Sequence, residues 1–162
     1  MKDQSVQQSV VHSTFVIERS YPKPPDRVFS AFAESPQKRR WFLTGGKTDV
    51  EQFEMDFRVG GTERVSLRFK EDSPFPGVAL TTETGYLDIV PNRRIVTAST
   101  MTLGDKRISA TLVTFEFLAT PNGADLLSTH QGAFFEGADG PEMREQGWRK
   151  LFDQLEKELT RS

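Results

Sequence analysis

The chain has no cysteine and only two histidines. No disulfide framework, thiol nucleophile or thiolate-held zinc centre can be built from it, and no metal is expected. Long apolar runs are missing as well. No window approaches the ~20 apolar residues of a membrane-spanning helix, and the polar start MKDQSVQQSVVHSTF has no apolar stretch of signal-peptide type. The expectation is a cytoplasmic protein without a membrane partner. Charge of one sign is equally scarce: the formal net charge is −2, so no bulk field favours nucleic acid or anionic lipid, and neither is expected as a partner. Also absent are a nucleophile elbow, a phosphate-binding glycine loop, a metal-binding histidine pair and a dinucleotide fingerprint, so no cofactor is expected. Tyrosine and tryptophan number two each against thirteen phenylalanines. Phenylalanine brings ring surface with no polar atom to satisfy, which favours an apolar interior, filled or hollow.

A length of 162 residues suits one domain. Residues 1–8 are polar and aperiodic and are expected to form a disordered tail, with a single domain over 9–162. From His12 to Tyr21, apolar and polar residues alternate with β-branched and aromatic types in excess, which predicts a strand that the prolines at 22, 24 and 25 stop. Pro25 can open a short helix with Val28, Phe29 and Phe32 on its buried face, and Ser35-Pro36 a second one through QKRRWF. In VEQFEMDFRVGG, Phe53, Met55, Phe57 and Val59 alternate with Gln52, Glu54, Asp56 and Arg58. Gly60-Gly61 turns this strand into TERVSLRF, whose Val65, Leu67 and Phe69 continue the apolar face. KEDSPFPG reads as a loop. ALTTETGYLDIV with RRIVTASTM, and ISATLVTFEFLA with DLLSTHQGAFF, read as two further hairpins. The last stretch, GPEMREQGWRKLFDQLEKELTRS, is one amphipathic helix. Trp148, Leu151, Phe152, Leu155 and Leu159 recur at helical spacing, and Arg149, Lys150, Asp153, Glu156, Lys157 and Glu158 are assigned to the opposite side. Burying such side chains contributes roughly 1.5–3 kcal/mol each. Short connections between consecutive strands imply an antiparallel sheet, and helices gathered at the two ends of the chain imply an α+β layout with the helices on one face.

Several motifs in order resemble one family. FVIERSYPKPPDRVFSAFAE is similar to its first strand and proline-led helix, with Val28, Phe29, Ala31 and Phe32 as the core pattern. Trp41-Phe42 stands where that family has a Trp-aromatic pair. Asp56, Arg58, Gly60 and Gly61 resemble its Asp-x-Arg-x-Gly-Gly hairpin; GYLDIVPNRRIV, LLSTHQGAFF and the closing helix resemble its later elements. The family is that of activator of heat-shock protein 90 ATPase-like proteins, within the SRPBCC superfamily of START and birch-pollen-allergen-like helix-grip proteins. The resemblance implies a seven-stranded curved antiparallel sheet wrapped around a long C-terminal helix, with an interior cavity. The superfamily includes lipid carriers, cyclases and co-chaperones, so fold alone does not assign function. The eukaryotic co-chaperone that named the family carries an extra N-terminal domain for which this chain has no room, so chaperone activation is not expected.

His130 is the best lone candidate for site chemistry, since alternation puts it on the side of Leu126, Ser128 and Phe134; a neutral imidazole there could orient a ligand or act as general base. A hydrogen-bonded core histidine is the alternative. Glu63, Arg64 and Arg68 are assigned to the solvated sheet face, with Arg64 and Arg68 turning inward only if the glycine pair makes a bulge. Lys38, Arg39 and Arg40 are assigned to the solvated side of a helix whose Trp41 closes the core. Asp56 and Arg58 are expected to pin their hairpin. Glu136, Asp139 and Glu142 lack the spacing of a calcium loop.

Three functions compete. The first is non-catalytic binding of a small apolar or amphipathic molecule between sheet and helix. Its cavity would be lined by Trp41, Phe53, Phe57, Phe69, Phe115, Phe117, His130, Trp148, Leu151 and Leu155, and the loop around Pro74 and Pro76 would gate it. The second is an enzyme of the polyketide cyclase or hydrolase kind, using His130 with Tyr86 or Glu116. The third is an interaction module, chaperone-associated or homodimeric, with Phe75, Phe134 and Phe135 as its patch.

Overall fold

The computed structural model describes residues 9–161, so the tail expected over 1–8 falls outside the described residues. Strand β1 (Val11–Tyr21) runs into helices α1 (Pro25–Ala33) and α2 (Ser35–Phe42), with a proline at the first turn of each, where no backbone N–H is needed. Glu34 stands between them in extended conformation. Three hairpins follow: β2 (Thr48–Met55) with β3 (Thr62–Phe69), β4 (Ala79–Val90) with β5 (Arg94–Leu103), and β6 (Lys106–Thr120) with β7 (Gly123–Phe134). Helix α3 (Pro141–Leu159) closes the fold. The seven strands form one antiparallel sheet in the order β1-β7-β6-β5-β4-β3-β2. Because β1 pairs with the last strand, α1 and α2 carry the chain from one edge of the sheet to the other. This is the helix-grip architecture.

Aromatic rings fill the region beneath α1 and α2. Phe32 packs against Trp41, Phe115 and Phe117 at centroid distances of 5.0, 5.0 and 5.3 Å. Trp41 is fully buried, and its indole donates to the Ala31 carbonyl at 2.8 Å. Phe152, Leu155 and Leu159 lie on this layer, and the Tyr21 hydroxyl donates to the Phe152 carbonyl at 3.0 Å. Burial pushes that phenol above its ordinary range.

Two sequence expectations change here. Strand β2 ends at Met55, and Val59 is 55% exposed rather than part of an inward face. Residues 56–61 make a tight connection in which Asp56 N–H donates to the Thr62 carbonyl and Gly61 N–H to the Arg58 carbonyl, both at 2.8 Å. Arg58 pairs within this turn to Asp56 at 2.8 Å. Glu158, assigned to the solvent side of α3, is buried. It receives Arg40 Nε at 2.9 Å and Arg40 Nη2 at 2.7 Å, so the end of α3 docks on α2 through a bidentate charged contact.

Candidate ligand cavity

Two adjoining chambers lie between the sheet and the first half of α3. The outer one, about 540 Å³, is lined by Phe69, Phe75, Leu80, Leu103, Ile108, Met143, Trp148 and Leu151 among others. The inner one is about 70 Å³ and is bordered by Phe15, Phe42, Phe115 and Trp148, by a row of hydroxyls including Thr82, Thr84, Thr97, Ser99 and Thr111, and by Lys38, Glu63, His130 and Arg144. Phe42, Thr82, Met101, Arg144 and Trp148 border both. An apolar antechamber therefore adjoins a smaller space that carries a few placed polar side chains among apolar ones, a common division of labour in small-molecule sites.

Two bulges shape the inward faces, the first beside the core and the second at this lining. In β4, Tyr86 faces Thr97 and Asp88 faces Val96, so Leu87 is the extra residue; it is exposed, and the shift lets both Tyr86 and Ile89 point inward. In β6, Met101 faces Ser109 and Thr102 faces Arg107, so Ile108 is extra, and Ile108 and Ser109 are both buried. One borders the outer chamber and the other the inner.

His130 is 3% exposed on the inward face of β7 with Leu126, Ser128 and Phe134. Its ring stacks on Phe15 with centroids 4.6 Å apart and lies 5.0 Å from Trp148. Ser128 Oγ lies 2.6 Å from Nε2, while Nδ1 has no hydrogen-bond partner among the described residues. Burial, aided by the Arg144 charge, pulls its pKa down to about 3, so the imidazole is neutral at physiological pH. Arg144, in the first turns of α3, spans Asp139 through Nε and Nη2 at 2.8 Å each, donates to Ser109 Oγ at 3.1 Å, and lies over the Phe134 ring at 5.0 Å.

Glu63 overturns its assignment to the solvated face. It is 4% exposed, because residues 63, 65 and 67 share one side of β3 and Val65 faces the core. Lys38, also assigned to solvent, reaches in from α2 and donates to Glu63 Oε1 at 2.6 Å, its ammonium 4.7 Å above the Phe42 ring. The Tyr86 hydroxyl donates to the same oxygen at 2.6 Å. Burial first, then the Glu63 charge and hydrogen bond, push the phenol far above its usual range. Arg64 and Arg68 point outward, to Gln52 and Glu83 and to Glu51.

Of the residues expected to line a ligand cavity, Phe69, Phe115, His130, Trp148 and Leu151 border the two chambers. Trp41, Phe117 and Leu155 are packed within the solid core instead. Phe57 sits beyond β2, between Phe29 and Tyr86. Phe53 lies below the Arg39 guanidinium. Neither helper assigned to His130 in the enzymatic reading reaches it: Tyr86 is taken by Glu63, and Glu116 lies on the opposite face of β6 from Phe115 and Phe117, across from Arg94. Phe134 is buried under Arg144 and cannot form a surface patch, whereas Phe75 stands exposed at the outer chamber. Among the described residues no helix is long and apolar enough to cross a membrane, and no acidic or histidine cluster could hold a metal ion.

The family model described as Activator of Hsp90 ATPase homolog 1-like protein matches residues 22–160. The chain belongs to this family. A solved structure of a Rhizobium leguminosarum protein is 39% identical, with 95% of this chain and 98% of that one covered and a TM-score of 0.87. One from Rhizobium loti is 43% identical, covering 93% and 99% of the two chains with a TM-score of 0.82. The solution structure of an AHSA1-like protein from Aeromonas hydrophila, at 16% identity, 91% and 92% coverage and a TM-score of 0.66, shares the fold. No curated protein matches the chain. AHSA1-like folds are ligand-binding domains in general terms, and the chambers lie where that fold grips its terminal helix.

Proposed function

We propose that this protein binds, without chemical conversion, a small amphipathic molecule whose apolar body occupies the outer chamber and whose polar end enters the inner one. The observation that carries the reading is the pairing of an apolar space of about 540 Å³ with an adjoining space of about 70 Å³ into whose largely apolar wall a few polar side chains are set. The larger volume falls within the range of about 300–1,000 Å³ typical of small-molecule sites. Phe75 and Met143 are exposed where they border the outer chamber, which supports their reading as an entrance. The low basicity of His130 supports binding over base catalysis, because an imidazole held near pKa 3 has little proton affinity to offer.

The test is a thermal-shift screen of the full chain against alkyl, aromatic and sterol-like amphiphiles, with native mass spectrometry of the freshly purified protein for carried-over ligand. A ligand at a hundred times its Kd stabilises by about 2.7 kcal/mol, which for a domain of this size is a rise in Tm of roughly 5–10 °C. No carried-over mass and no shift across the library would remove the reading.

A further inference from the structure

The inner chamber borders a carboxylate whose hydrogen-bonding capacity is half used. Lys38 Nζ and the Tyr86 hydroxyl both converge on Glu63 Oε1, each at 2.6 Å. Oε2 receives no hydrogen bond among the described residues, yet it is not among the polar atoms sealed away from open space. A buried carboxylate oxygen without a donor is unfavourable, and here the unfilled position belongs to a residue that lines a cavity.

The charges around it are already matched. The Lys38 ammonium is paired with Glu63, and Arg144 grips both oxygens of Asp139. An anionic head would meet Glu63 Oε2 with no uncommitted cation beside it. An ammonium head would enter a pocket that already holds Lys38 against the same carboxylate, adding a second buried positive charge. A hydroxyl fits both demands: its O–H donates to Oε2, and its oxygen accepts from Lys38 or a wall hydroxyl such as Thr82. The inner space, about 70 Å³, admits a head of a few heavy atoms.

We propose that the inner chamber selects ligands whose buried end is a neutral hydroxyl, and that Glu63 Oε2 is the acceptor that fixes it. This rests on the binding function above and names its ligand class.

The experiment titrates the full chain at pH 7.4 with 1-octanol, octanoate and octylammonium, which share one alkyl body and differ in the head. Calorimetry reads affinity, and Trp148 fluorescence reports entry. Octanol is expected to bind at least tenfold tighter than either charged probe. In Glu63→Gln the Oε1 acceptor for Lys38 and Tyr86 is retained and the negative charge removed, so the preference for octanol over octanoate should shrink at least tenfold. Equal or tighter binding of octanoate or octylammonium to the wild-type chain overturns the hydroxyl selectivity and leaves the container standing. An unchanged preference in folded Glu63→Gln overturns the role of Glu63. If none of the three binds, the container reading falls and this inference with it. The wild-type ranking needs no variant to fold.

Discussion

Dismantling the Lys38–Glu63–Tyr86 cluster one residue at a time should give unequal and strongly non-additive losses. Glu63 is held in the sheet near the start of β3 at 4% exposure, whereas Lys38, with its side chain 11% exposed, has a flexible stem near the surface. Removing one partner of a buried ion pair costs about 3–5 kcal/mol, because the other charge is left uncompensated. Lys38→Met leaves the Glu63 carboxylate with the Tyr86 hydroxyl alone, so its cost should reach that full range. Glu63→Met frees an ammonium that can swing outward along its stem, and should cost about 3 kcal/mol or less. Replacing all three by Lys38→Met, Glu63→Met and Tyr86→Phe removes every unmatched group together. The triple variant should fall within about 1 kcal/mol of wild type, or exceed it. For a domain of this length 1 kcal/mol corresponds to about 2–4 °C, so Lys38→Met should lose on the order of 10 °C and the triple variant almost none. Equilibrium urea unfolding followed by circular dichroism, with m-values compared to confirm like transitions, gives the full cycle. A triple variant that loses the sum of its parts would refute the reasoning, as would a Lys38→Met cost under about 1 kcal/mol.

Three further outcomes follow from the same geometry. The folded-state pKa of His130 is about 3 against an ordinary 6.5, so the unfolded chain takes up a proton first and stability falls as pH drops through that interval, by up to about 1.4 kcal/mol per unit. His130→Gln should flatten that part of the pH–stability curve; Glu51 and Asp72, whose pKa values are lowered by Arg68 and Lys47, act alike in both proteins, and parallel curves would refute the assignment. Leu155→Ala, in the solid core, should cost about 2–5 kcal/mol without changing octanol affinity, while Leu151→Ala at the outer chamber should cost less stability and more affinity; chemical unfolding and titration separate the two. Gly61→Ala places a Cβ 2.1 Å from the Asp56 carbonyl oxygen and should destabilise by at least about 2 kcal/mol in urea unfolding, whereas Gly85→Ala, which meets nothing within 4 Å, serves as the control.

The strands and helices were legible because period and punctuation agreed. Prolines opened each helix, turn residues separated the hairpins, and one apolar stripe ran down α3. The charged residues that matter were misassigned for a common reason. Glu63 shares strand parity with Val65, Lys38 lies three and four residues before Trp41 and Phe42 on α2, and Glu158 lies three residues after Leu155 on α3. Spacing puts all three on buried faces; assigning Glu63 outward overlooks its shared parity with Val65, and assigning Lys38 and Glu158 to water follows their charge. A charged residue at an apolar register position is therefore a better signal of a buried pair than of a solvated face, provided an opposite charge occupies such a position elsewhere. The chambers were less accessible to sequence reasoning. Their lining depends on the bulge at Ile108, which shifts the inward face of β6 by one residue, and a single strand's alternation carries no mark of a bulge.

The inner wall itself separates a container from a core that is merely imperfect. Where the sheet faces α1 and α2 its side chains include Phe117 and Leu126, buried in one apolar cluster with Phe29 and Phe32. Where it faces the first half of α3, the sheet presents Thr82 and Thr84 on β4, Thr97 and Ser99 on β5, and Ser109 and Thr111 on β6. Threonine and valine nearly share a shape, so valine would serve the sheet equally well and would spare it buried hydroxyls. Some of these hydroxyls are matched along the strands, Thr84 with Ser99 at 2.7 Å and Thr97 with the Val113 carbonyl at 3.3 Å. Such bonds contribute only about 1 kcal/mol net, roughly what burial of the hydroxyl forfeits, so stability gives little reason to prefer threonine here. Polar groups held at fixed positions around an open space, beneath an apolar entrance, are instead what recognition of a small polar head requires. Conversion of Thr82 and Thr97 to valine should therefore leave Tm within a few degrees of wild type while weakening octanol at least threefold. Loss of stability without loss of affinity would return these hydroxyls to a purely structural role.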